Sequence, residues 1–118
     1  LEACRALDHL KAQGYVQAIG VGAKKWEFIQ WLVERHRFDW VMLANSFTVM
    51  NHPPELLSFL DQLQLGEITV INSALFHGGF LVGGKFFDYR LITSDNKEDQ
   101  LRLRWRTAFE TLCRDFRT

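Results

Sequence analysis

Proline and cysteine are scarce in this chain, with two of each among 118 residues. Cys4 and Cys113 lie far apart within helical patterns, where a cysteine serves as a small buried hydrophobe, so no disulfide framework is expected and a reducing cytoplasm fits best. Net charge is missing too. The 14 basic and 14 acidic residues cancel, which leaves no field to draw in nucleic acid or an anionic membrane. No apolar run approaches the roughly 20 residues of a spanning helix, and no charged-then-apolar leader opens the chain. The expectation is a soluble, unexported protein. His52, His77 and Asp88 have neither helical i, i+4 spacing nor a CxxC partner, so no metal site is expected. The glycine pairs Gly78-Gly79 and Gly83-Gly84 form neither GxGxxG nor a Walker A loop. Leu1 opens inside an amphipathic turn, and the last helical pattern runs through Phe116 to Thr118 without Gly or Pro, so both ends are expected to be cut.

What is present argues for dense packing. Apolar residues make up 47% and charged residues 24%, a balance that predicts one domain over residues 1–118. The first segment places Ala3, Ala6, Leu7 and Leu10 on one helical face and closes at Gly14. Val16–Gly22, Asp39–Asn45 and Glu67–Asn72 are short apolar or β-branched runs, read as strands buried on both faces. A helix over Lys25–Arg35 buries Phe28, Ile29, Leu32 and Val33. A second, entered at Pro53-Pro54-Glu55, buries Leu56, Leu57, Leu60 and Leu63. Ser73 to Thr93 holds four glycines and no period, hence a long loop of functional interest. Capped by Ser94, Asp95 or Asn96, a final helix sets Leu101, Trp105, Ala108, Phe109, Leu112, Cys113 and Phe116 on one stripe. Arg102, Arg104, Arg106, Arg114 and Arg117 spiral around it among acidic residues, which predicts a solvated helix surface.

Strand starts at 16, 39 and 67 are about 23 and 28 residues apart, the spacing of a repeated βα unit. The fold class is therefore α/β with about three parallel strands and crossover helices. Periodicity leaves open a doubly wound sheet or an arc of a (β/α)8 TIM barrel, whose full form needs about 250 residues. In either case ligands gather at the carboxyl ends of the strands: Gly22-Ala23-Lys24, Asn45-Ser46-Phe47, and the run from Asn72 through Gly79. Two of these ends place Asn beside Ser where apolar character stops, offering amide and hydroxyl groups; the plain alternative is that both only start turns. His77 either lines such a mouth or is a loop residue. Phe86-Phe87-Asp88-Tyr89-Arg90 either covers a ligand or packs the loop.

Three stretches resemble one family. Gln17-Ala18-Ile19-Gly20-Val21-Gly22 is similar to the G-K-V-R-A-I-G-V-S stretch of aldo-keto reductases. Val70-Ile71-Asn72-Ser73-Ala74-Leu75, then Gly78 and Leu81, looks like the family's V-I-A-x-S-P-L-x-x-G-x-L at the seventh strand. Asp39 through Asn51 resembles the sixth-strand segment, and the details lean towards the branch that oxidises free sugars such as galactose, fucose or threo-aldoses. The resemblance implies a partial barrel, roughly strands 5 to 7, from an oxidoreductase that uses NADP or NAD on a small-molecule substrate. It also implies that Gly22, Ala23, Ala44 or Asn45, and Asn72 face nicotinamide, although the family's usual Ser-Asn, Gln and aromatic residues are missing there. Ser73, Leu75 and Gly78 match the pyrophosphate loop, with Phe76, His77 and Gly79 nearby. Ser73 is expected to donate its hydroxyl and N–H to phosphate. The family's catalytic Asp, Tyr, Lys and His lie on earlier strands, so no catalytic residue is assigned and the chain is expected to be inactive alone. Two other readings stand beside this one. The first is a non-catalytic half-barrel that pairs with another chain or itself through exposed sheet edges. The second is a small doubly wound nucleotide-binding domain.

Overall fold

A computed structural model describes residues 1–116; Arg117, last of the arginine series, and Thr118, at the end of the expected final helix, lie outside the described residues. The chain packs as two compact units, Leu1–Leu75 and the remainder from Phe76.

In the first unit three parallel strands, β1 (Gly20–Ala23), β2 (Trp40–Ala44) and β3 (Thr69–Ser73), lie in the order β1-β2-β3. Their connections are the crossover helices α2 (Trp26–Val33) and α3 (Pro54–Leu65), with α1 (Glu2–Ala12) ahead of them. The register aligns Val21 with Val41 and Val70, and Ala23 with Leu43 and Asn72. Alternation puts these residues on one face, where all but Asn72 pack with Ile29, Leu56, Phe59 and Leu63. α1 joins the same side through Cys4, which clusters with Leu32 and Phe38 beside Val21. Every helix of this unit therefore covers one face of the sheet. The opposite face carries Trp40, Met42, Ile71 and Gly22; Gly22 and Ile71 are exposed, so the strands are not buried on both faces as their apolar runs suggest. Helices on a single side are what an arc of a barrel requires, whereas a whole doubly wound sheet carries them on both.

Several boundaries and faces differ from the sequence reading, each for a packing reason. β1 starts at Gly20 and not at Val16, because β2 begins at Trp40, opposite Gly20, and the residues before it have no partner strand. Gly20 itself leaves room for the Trp40 indole; a Cβ there would fall 2.1 Å from a ring atom. In α1 the buried residue is Cys4, while Ala3, Ala6 and Leu10 are exposed. Phe28 and Leu57 also point outward, Phe28 stacking on Trp31 with ring centroids 6.2 Å apart. The buried stripe of α3 is Leu56, Phe59 and Leu63, the i, i+3, i+7 set that meets β2, and Leu57 sits about 100° round the helix from it.

The second unit replaces the expected long loop with compact pieces. A single 3-10 turn (Phe80–Val82) is followed by the two-residue strands β4 (Phe86–Phe87) and β5 (Arg90–Leu91), paired antiparallel, and by α4 (Lys97–Asp115). Asn96 caps α4 by accepting from the Asp99 N–H at 2.8 Å. The apolar stripe of α4 is not its buried face: Leu101, Ala108, Leu112 and Phe116 are exposed, and its fully buried residue is Asp99. No helix among the described residues is long and apolar enough to cross a membrane.

Candidate functional site

The carboxyl end of the sheet in the first unit is laced by side chains. Ser46 Oγ lies 2.8 Å from the Lys24 carbonyl and 3.1 Å from that of Ala44, joining the ends of β1 and β2. Ser73 Oγ donates to the Leu43 carbonyl at 3.0 Å, and Asn72 Nδ2 donates to the Phe47 carbonyl at 2.8 Å. Asn45 turns the chain at the end of β2 with φ 58° while its N–H donates to the Ser73 carbonyl at 3.2 Å. Asparagine is among the few residues that accept this left-handed conformation. Asn45 is only 8% exposed. Two atoms are left over: Asn45 Oδ1 and Asn72 Oδ1 are buried and have no hydrogen-bond partner among the described residues. A buried acceptor left unpaired costs about 1–3 kcal/mol. The strand ends thus hold two buried acceptors without a donor.

In the second unit, the segment after β3 forms a tight turn from Phe76 to Gly84. Gly78 (φ +71°) lies so close to the Asp88 carbonyl that a Cβ would fall 2.3 Å from its oxygen, and at Gly84 one would fall 2.7 Å from the Gly79 carbonyl oxygen. His77, 3% exposed, sets Nδ1 3.1 Å from Asp88 Oδ1 and stacks on Phe87 with centroids 4.5 Å apart. It is a packed residue and not an open loop position. Phe87 also meets Phe80 edge-on, so this part of the Phe86–Arg90 run packs the loop, while Phe86 and Tyr89 remain exposed.

Two of the arginines expected on a solvated surface are instead tucked against the hairpin and this turn. Arg102 lies 4.1 Å over the Phe87 ring and Arg106 4.6 Å over Phe80, with side chains 19% and 21% exposed. Asp99 gathers Arg90, Arg102, the Thr93 N–H and the Asn96 amide. The Arg90 guanidinium, helped by the other donors against the cost of burial, holds the Asp99 carboxyl well below the usual carboxylate range. Asp99 and Arg106 are organising residues that sequence reasoning missed; only the helix-start signal at Asn96 pointed near one of them.

Of the residues expected from sequence, Asn45, Asn72 and Ser73 come together at the end of the first unit's sheet, with exposed Leu75 closing that unit. Exposed Phe76, with Gly78 and Gly79, belongs to the turn of the second unit. His77 and Asp88 meet, whereas His52 Nδ1 lies 2.9 Å from the Thr48 carbonyl in the first unit. No cluster of three metal-ligating side chains occurs among the described residues.

The fit to a nicotinamide cofactor differs between its two ends. The two unpaired carboxamide oxygens complement the N–H groups of a nicotinamide carboxamide. At the phosphate end several of the donors are already engaged. The Ser73 hydroxyl proton is directed at Leu43, and the N–H groups of Gly79 through Gly84 all donate within their own turn.

The sequence model of the aldo/keto reductase family matches residues 1–117. Pyridoxal 4-dehydrogenase of Microbacterium luteolum is 28% identical over 89 residues, covering 72% of this chain and 26% of that protein. The chain thus spans about a quarter of the length of this curated relative. No solved structure matches.

Proposed function

The chain belongs to the aldo/keto reductase family, a family of (β/α)8 barrels, and on that premise we propose that it is the cofactor-side segment of an NAD(P)-dependent oxidoreductase acting on a sugar or another small carbonyl or alcohol. The observation that carries this reading is the pair of buried, unpartnered oxygens of Asn45 and Asn72 at adjacent strand ends. By its name the Microbacterium relative is a dehydrogenase of pyridoxal, which supports dehydrogenation of a small molecule here.

In this reading β1 to β3 are the fifth to seventh strands of the barrel, and residues 1–118 act as one domain of it. Nicotinamide supplies the hydride exchange when bound. Asn45 and Asn72 accept from its carboxamide and fix the ring beside the strand ends, while Ser73, Leu75, Phe76, Gly78 and Gly79 follow the diphosphate. Gly22, Ala23 and Ala44 provide small surfaces against the ring. NAD and NADP are both admitted. Hydride exchange with a carbonyl needs a proton donor of tuned pKa beside the acceptor, and the family's Asp, Tyr, Lys and His match no position of this chain. It therefore does not turn over alone. A cytoplasmic setting belongs to the same reading, supported by Cys4 as a buried free thiol.

Titrating NAD and NADP into the purified chain, read by tryptophan fluorescence, tests the assignment. Saturable binding is expected, weakened at least about tenfold by Asn45→Leu with Asn72→Leu, the loss of two hydrogen-bond acceptors. Binding unchanged in the double variant, or absent from the parent chain, would sink it. Absorbance at 340 nm with a carbonyl substrate should stay flat, and sustained turnover refutes inactivity alone. One observation favours a second reading, a half-barrel that pairs with another chain: helices cover a single face of the first unit's sheet, and β1 and β3 each have one unpaired edge among the described residues.

A further inference from the structure

From Gly79 onwards, the turn that runs from Phe76 to Gly84 consumes its own donors. The six successive main-chain N–H groups from Gly79 to Gly84 donate to the carbonyls of Phe76, His77, Gly79 and Phe80 at 2.8 to 3.4 Å. An anion held by such a turn needs N–H groups directed at it, so these six can receive a diphosphate only when some of their bonds break. A side chain from α4 holds the middle and the far end of the turn in place. Arg106 Nη1 donates to the Gly84 carbonyl at 2.8 Å and approaches that of Phe80 at 3.3 Å, while its guanidinium lies 4.6 Å over the Phe80 ring. Glu110, one helical turn on, stands 3.8 Å from Arg106 Nε and steadies that orientation. Arginine suits this task because one planar group stacks and donates at once. Arg102 acts likewise on the hairpin, lying over Phe87, which in turn stacks on His77.

We infer that Arg106 is a positioning residue that locks the Phe76–Gly84 turn shut, and that a ligand diphosphate gains the main-chain donors of Gly79–Gly84 only when this lock is released. The inference rests on the reading of Gly78 and Gly79 as phosphate-facing residues. Its consequence runs against ordinary electrostatics: loosening the hold of a cation should improve the binding of an anion. Lysine at this position keeps the charge and shortens the reach to the Gly84 carbonyl, which separates positioning from charge.

Amide hydrogen exchange on the full ligand-free chain tests the lock directly. R106K and R106A should raise exchange at Gly79–Gly84 by about tenfold or more, local opening in place of closure, with the amides of α2 and α3 unchanged. Exchange at the turn equal to the parent chain in both variants overturns the lock. If R106A unfolds the second unit, protection in α4 is lost together with that of the turn, and R106K alone decides. Titration with inorganic pyrophosphate then tests the gate, and R106K should bind more tightly than the parent chain by a few-fold. Equal or weaker binding overturns the gate. Raised exchange with pyrophosphate bound by neither protein means that the phosphate assignment of Gly78 and Gly79 has failed, and the gate falls with it. Unchanged exchange overturns the lock even where cofactor binding is intact.

Discussion

Asp39 receives Lys11 Nζ at 2.7 Å on each carboxylate oxygen and the Ile19 N–H at 2.8 Å, so one side chain ties the end of α1 to the approaches of β1 and β2. Lys11 is the first cause, and the Ile19 N–H the second, of a carboxyl held below its ordinary value. Asp99 does the same in the second unit, with Arg90 as the leading partner. For both groups the unfolded chain binds a proton more readily than the folded one. Their contribution to stability is therefore complete above the ordinary carboxylate range, about pH 4, and is lost as pH falls through that range towards the lower folded values. Thermal unfolding should show a midpoint that drops between pH 5 and pH 2. Asp99→Asn should lower the midpoint at neutral pH, because the Arg90, Arg102 and Asn96 donors lose a charged, fully buried acceptor, and should flatten the acid limb. A variant with the parent's full acid sensitivity would remove Asp99 from this account.

At the scale of elements, the core of the first unit hangs on α3. Phe59 is 2% exposed, packs with Leu56 and Leu63 against β2, and stacks on Trp26 of α2 with centroids 6.0 Å apart. Phe59→Ala removes a ring that two elements share, and chemical denaturation should report a loss of about 3–5 kcal/mol. A loss under about 1 kcal/mol would show that α3 is dispensable to the sheet. The presence of these elements was legible in the sequence, since apolar runs at 39–45 and 67–72 and helical periods between them survive as β2, α3 and β3. Their limits were less so. Pairing sets where a strand starts, and residues 16–18 are as apolar as a strand needs but have nothing opposite them. Faces were ambiguous for the same reason, as Phe28 and Leu57 are apolar and sit off the buried stripe. The strands β4 and β5 have two residues each, too few for a period to show. Asn45 and Asn72 stood out because each ends an apolar run. Arg106 did not, because its partners Phe80 and Gly84 are 26 and 22 residues away in sequence and no local pattern reports such a contact.

For the molecule as a whole, the arc of three strands leaves an open problem that physics must answer in solution. The uncovered face of the sheet carries the row Gly22, Met42 and Ile71, with Ile71 39% exposed, and the Trp40 indole beside it. β1 and β3 each offer one line of unpaired main-chain groups among the described residues. Parallel strands are normally covered on both faces, and exposed edges recruit further strands. The isolated chain should therefore associate, and sedimentation velocity should show a mean mass that rises with concentration in the micromolar range. Ile71→Lys places a charge in the middle of the uncovered row, where pairing would have to bury it without a partner. That variant should stay monomeric at concentrations where the parent chain associates, with its far-ultraviolet circular dichroism unchanged because the substituted position lies outside the packed face. If the parent chain remains a strict monomer throughout, the half-barrel pairing fails and the cofactor-side reading is left to stand on Asn45 and Asn72. If Ile71→Lys associates as the parent does, the contact runs through some other surface than this face.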